Sequence, residues 1–186
     1  MIILIVIVVL VLLVGLIYVL MRNSIIASRN RVDESWSGID VQLKRRHDLV
    51  PNLVESVKGY AKHERETFEK VTKARSEAMQ ARGVEDTAKA EAQLSSALGG
   101  LRVVAEQYPE LRATENFQQL QQQLSELEDE IQASRRIYNS NVQSYNTKIQ
   151  QFPMSIVANQ GGFTAREFFE IEDAAEREVP QVSFDK

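Results

Sequence analysis

His47 and His63 are the only imidazoles in the 186-residue chain, and no cysteine accompanies them. Thiol nucleophiles and a disulfide framework are therefore excluded. A metal site would need further ligands at helical spacing, yet Glu64 and Glu66 beside His63 give neither an H-x-x-x-H nor an H-E-x-x-H pattern. Both histidines read as solvated or edge residues. The acids lie among Lys and Arg on expected helix faces, the pattern of exposed surface and not of the isolated carboxylate pair that acid–base catalysis requires. Gly99-Gly100 and Gly161-Gly162 lack the G-x-G-x-x-G or P-loop setting that would turn backbone N–H groups onto a phosphate. No catalytic residue, cofactor or metal ion is expected.

Two further groups have polar chemistry at regular spacing. Tyr138-Asn139 and Tyr145-Asn146 repeat one heptad apart, which puts both rings in a seam, where buried hydroxyls need hydrogen-bond partners, and both amides at its edge. Packing with edge hydrogen bonds is the expectation. The glutamines from Gln118 to Gln123 read as a neutral, solvated helix face. The formal charge of -4 has its whole acidic surplus after residue 163, where Glu167, Glu170, Glu172, Asp173, Glu176, Glu178 and Asp185 outweigh Arg166, Arg177 and Lys186. The body before it is balanced, so no basic field exists to attract nucleic acid.

The elements that position these groups are helices. Across residues 114–152, Phe117, Leu124, Ile131, Tyr138, Tyr145 and Phe152 recur every seven residues; Leu120 and Leu127, then Val142 and Ile149, make a second row. That second row drifts around the helix, which suits a multi-helix bundle better than a symmetric two-stranded coiled coil. Residues 2–21 form an uncharged run of Ile, Val and Leu, long enough to cross a hydrocarbon core of about 30 Å. Only Met1 precedes that run, so an uncleaved anchor is expected. Arg22, Arg29 and Arg31 precede the first acid, Asp33, and the positive-inside rule then puts Met1 outside and the larger part of the chain in the cytoplasm.

Beyond the anchor, Ile25, Ile26, Val32, Trp36, Ile39 and Leu43 continue the helical pattern through Gly38. The segment from His47 to Pro51 predicts a break, with Asp48 capping a new helix and Pro51 in its first turn. That second helix is expected to end at Gly83, and a third to run over residues 86–108 with Gly99-Gly100 inside it. Pro109 stops the third helix, and Phe152-Pro153 the long one. A short helix over residues 163–169 follows the Gly161-Gly162 turn, then a mobile acidic stretch; the end containing Val179, Pro180, Val182 and Phe184 reads as an extended strand lying on the bundle, with simple disorder as the alternative. The expected division is an anchor at 1–22, a helical bundle at 23–163 and an acidic tail at 164–186. The residues expected to carry the packing are Trp36, Asp48, Pro51, Phe117, Leu124, Ile131, Tyr138, Tyr145 and Phe152.

The run Arg45-Arg46-His47-Asp48-Leu49-Val50-Pro51-Asn52-Leu53-Val54 resembles the most diagnostic block of the LemA family, as do Val57 to Ala61 and His63-Glu64. Ala74-Arg75, Glu106 to Leu111, Asn116-Phe117, Arg135 to Asn139, Tyr145-Asn146, Phe152-Pro153, Gly162-Phe163 and Val179 to Phe184 match further landmarks in order. The resemblance implies an N-terminal membrane helix with a short external N-terminus and a cytoplasmic antiparallel helical bundle at the bacterial inner membrane. It carries over no catalytic or binding residue. The fold expected is therefore all-α, an N-terminal transmembrane helix continuing into a long antiparallel, four-helix-type bundle with a short extended tail.

The function expected is that of a membrane-anchored, non-enzymatic scaffold that self-assembles as a homo-oligomer. The alternative is an adaptor or regulator of a membrane protease, with another membrane protein as partner, and a hydrolase is the third reading. The lipid bilayer is the partner common to the first two.

Overall fold

A computed structural model describes residues 1–170. The expectations for the later acidic stretch and for Val179 to Phe184 fall outside the described residues. The fold is all-α: α1 (Ile2–Lys58), α2 (Arg65–Gln80), α3 (Gly83–Glu106), α4 (Pro109–Arg112), α5 (Glu115–Gln150) and α6 (Met154–Gln160), with no strand among the described residues. The chain forms two compact units, one of Met1–Asp40 with Gln132–Phe168, the other of Val41–Ile131 with Phe169 and Glu170 among the described residues.

In the first unit, α1 and α5 run antiparallel. Trp36 meets Tyr138, Asn141 donates to the Arg31 carbonyl, and Lys148 reaches Ser24, so positions fall along α1 as they rise along α5. Ile25, Val32 and Ile39 bury against this seam with Tyr138, Val142, Tyr145 and Ile149, while α6 adds Val157 and Ala158. Residues 1–20 are all exposed.

The second unit is built on Val50, Leu53, Val54 and Val57 of α1, Phe68, Val71, Ala74 and Ala78 of α2, Leu94, Leu98 and Leu101 of α3, Leu111 of α4 and Phe117 of α5. The small side chains of Ala74 and Ala78 suit the close approach of α2 to α3. Residues Ala81 and Arg82 join α2 to α3.

Several expectations need correction. The break from His47 to Pro51 does not occur: α1 continues to Lys58 with Pro51 inside it, and Asp48 is an exposed residue on its side instead of a cap. Proline has no N–H to give the His47 carbonyl one turn back. The Arg75 Nε–H of α2 donates to that carbonyl instead, at 2.6 Å, so the helix passes the proline without an orphaned acceptor. The second helix accordingly starts at Arg65, and Gly83, with φ of 78°, opens α3 instead of closing α2.

Residues 163–169 form no helix. Their backbone groups bond to side chains of α5, which removes the donors and acceptors a helix would use. The chain instead makes α6, which the sequence pattern did not suggest. Phe152 does not pack in the seam: α5 ends at Gln150, the turn rotates Phe152 outward, and it is 82% exposed. Gly99-Gly100 leaves α3 unbroken, and a Cβ at either position would meet nothing within 4 Å.

Candidate functional site

The apolar stripe of α1 in the second unit runs Leu43, Val50, Leu53, Val57, and Arg46 occupies it one turn after Leu43. On α3, Glu91 likewise stands in the stripe one turn before Leu94. Packing these stripes together forces the two charges to meet. The Arg46 Nη2 donates to Glu91, and its Nη1 donates to Glu128 Oε1 of α5 at 2.5 Å and to Ser95 Oγ of α3 at 3.2 Å. The other Glu91 oxygen lies 2.7 Å from His47 Nε2. Arg75, through the His47 carbonyl, ties α2 to the same point.

Side chains of α1, α2, α3 and α5 thus converge on one cluster, whose Arg46 and Glu91 side chains are 1% and 0% exposed. Removing such charges from water costs several kcal/mol per ion and is offset only by mutual attraction with saturated hydrogen bonds. Both oxygens of Glu91 are engaged, and the carboxylate has no exposure from which to reach a substrate. His47, read from the sequence as a solvated or edge residue, is in fact buried here; His63 is exposed. Arg46, Glu91 and Arg75 were not singled out as site residues. The signal was present for two of them: a charged residue in register with an apolar row needs a charged partner on the facing row.

Beside the cluster lies a cavity of about 620 Å³, with Leu53, Val57, Leu98 and Phe117 among its walls and Gln118, Gln121 and Gln122 along one side. Ser95 and Glu128 border both the cavity and the cluster. Among the described residues no group of three or more His, Cys, Asp or Glu side chains could hold a metal ion.

The first unit has a polar ladder of its own. The Tyr138 hydroxyl donates to the Glu167 carbonyl at 2.9 Å and the Tyr145 hydroxyl to the Thr164 carbonyl at 3.0 Å. Asn146 grips the backbone of Arg166 from both sides, its Nδ2 donating to the carbonyl at 2.9 Å and its Oδ1 accepting from the N–H at 2.8 Å. An extended segment is thereby held along α5. Burial raises the pKa of both tyrosines, with the nearby Arg166 pulling the other way. Trp36 leans on Tyr138 with ring centroids 5.4 Å apart, and Arg166 pairs with Asp33 at 2.8 Å.

Of the residues expected to carry the packing, Phe117, Ile131, Tyr138 and Tyr145 are buried, and Trp36 and Leu124 are half-buried. Asp48, Pro51 and Phe152 are exposed. Arg22 and Arg31 are exposed, whereas Arg29 is half-buried with its guanidinium 5.7 Å from the centre of the Phe163 ring.

An exposed apolar start to α1, a buried Arg–Glu–His cluster in one unit and a Tyr–Asn ladder in the other mark an all-α protein. The profile of the LemA family matches residues 35–184, and the chain belongs to that family. Protein LemA of Metamycoplasma hominis is 34% identical over 146 residues, which cover 77% of this chain and 66% of that protein. Magnetosome protein MamQ 1 of Paramagnetospirillum magneticum is 26% identical over 187 residues, covering 86% of this chain and 69% of its own length. Magnetosome protein MamQ of Magnetospirillum gryphiswaldense is 24% identical over 192 residues, covering 88% and 71%.

Proposed function

We propose that this protein is a single-pass, membrane-anchored, non-enzymatic scaffold that self-assembles at the cytoplasmic face of the bacterial inner membrane. The observation that carries the reading is the start of α1, where residues 2–20 are almost wholly aliphatic, carry no charge and are all exposed. So large an unburied aliphatic surface is far beyond what a soluble protein exposes, and at 1.5 Å per residue residues 2–20 match a hydrocarbon core of about 30 Å. Self-association is supported by the β-branched faces of this segment and by exposed Gly15, the kind of small residue at which membrane helices approach one another closely. The engagement of Arg46, His47 and Glu91 with one another supports a structural role for the most buried polar groups.

Crosslinking in native membranes tests the assembly. Ladders of oligomers are expected from the full chain and should vanish when the chain starts at Asn23. Monomer alone in the full chain defeats self-assembly; ladders that persist in the truncated form move the contact to the helical bundle.

A further inference from the structure

Phe152 is the most exposed aromatic residue among those described, and its surroundings give that exposure a direction. Asn141 Nδ2 lies 3.5 Å from the Arg31 carbonyl, and Lys148 Nζ lies 3.4 Å from both the carbonyl and the hydroxyl of Ser24. Seven positions up α5 therefore match seven positions down α1. Four more, about 6 Å of helical rise, bring the turn holding Phe152 level with Leu20, at the inner end of the exposed apolar run of α1. On α6, Val157 and Ala158 face inward, while Ile156 remains 51% exposed.

The charge pattern agrees with that placement. Residues 149–165 contain no charged side chain, although 26% of the chain is charged. No acid precedes Asp33 on α1 and none follows Glu130 on α5, so among the described residues the charges nearest this end are Arg22, Arg29 and Lys148. Exposed Phe and Ile beside an apolar span, with cations and no carboxylate as the nearest charges among the described residues, fit the interfacial layer of a bilayer with anionic headgroups.

We propose that the α5–α6 turn and the outer face of α6 form a second membrane contact, in which Phe152 and Ile156 insert into the lipid interface and Lys148 meets anionic headgroups. This inference rests on the reading of residues 2–20 as a bilayer-spanning anchor. It gives Phe152 an apolar environment that the seam does not provide.

The absence of cysteine makes the test direct, because Phe152→Cys, Ile156→Cys, Leu12→Cys and Gln122→Cys each introduce one site for a nitrobenzoxadiazole label. The full-length labelled proteins are reconstituted into vesicles of phosphatidylcholine and phosphatidylglycerol containing lipids brominated along the acyl chain. Labels at positions 152 and 156 should emit to the blue of the label at 122 and be quenched by bromines near the headgroup. The label at 12 should be quenched by deep bromines, and the label at 122 by none. Quenching at 12 with emission at 152 and 156 like that at 122 overturns the second contact and leaves the anchor standing. No quenching at 12 removes the anchor and this inference together.

Discussion

Glu91 accepts from Arg46 while its second oxygen faces His47, so a single neutral replacement disturbs several partners at once. Glu91→Leu leaves the Arg46 guanidinium short of a counter-charge inside the fold, and a loss of about 3–5 kcal/mol is expected. Arg46→Met combined with Glu91→Leu should cost less than the sum of the two single changes, because neither charge is then stranded. Thermal unfolding followed by circular dichroism measures the cycle; strict additivity would mean that the cluster does not act as a unit. The tyrosine ladder makes a pH prediction. Burial holds the Tyr138 and Tyr145 hydroxyls protonated to higher pH than usual, so the folded state keeps these protons when the unfolded chain releases them. Their contribution is full below the unfolded value of about 10 and is lost as pH rises through the higher folded values. The melting temperature should fall more steeply above about pH 10 than in the Tyr138→Phe, Tyr145→Phe double variant. Parallel curves would rule out this linkage.

At the scale of the element, α1 shows how a helix passes a proline. An interior proline costs about 3 kcal/mol through its missing N–H and a clash with the preceding turn. The Arg75 bond to the His47 carbonyl recovers the lost hydrogen bond from outside the helix. Arg75→Ala should cost about 1–3 kcal/mol by leaving that carbonyl without a donor. In a Pro51→Ala background the N–H of residue 51 can reach the same carbonyl, so the cost of Arg75→Ala should shrink markedly. A cycle measured by thermal unfolding checks this, and an undiminished cost would place the role of Arg75 elsewhere.

For the whole molecule, the proposed anchor at the start of α1 carries a prediction of orientation. Arg22, Arg29 and Arg31 follow the apolar run with no acid before Asp33, and charges on such a flank are retained on the cytoplasmic side. A reporter that is active only in the cytoplasm, fused after Lys186, should be active, and protease added to intact cells should leave the chain beyond residue 22 uncut. Reversing the flank by Arg22→Glu, Arg29→Glu and Arg31→Glu should weaken this preference. Cleavage from outside in the unchanged protein would refute the orientation.

The sequence by itself determined the helical class, the apolar start of α1 and the seam of α5, because these depend on periodicity and run length, which are local. Phe117, Ile131, Tyr138 and Tyr145 were legible as buried for that reason. The tertiary structure decided the fate of Pro51, since the donor that lets α1 continue comes from Arg75 on another helix. It also decided residues 163–169, whose local preference for a helix yields to Tyr138, Tyr145 and Asn146 on α5. Arg46 and Glu91 lie between these cases: each is visible as a charge in an apolar row, but only packing brings the two rows together and turns two buried charges into one neutralised cluster.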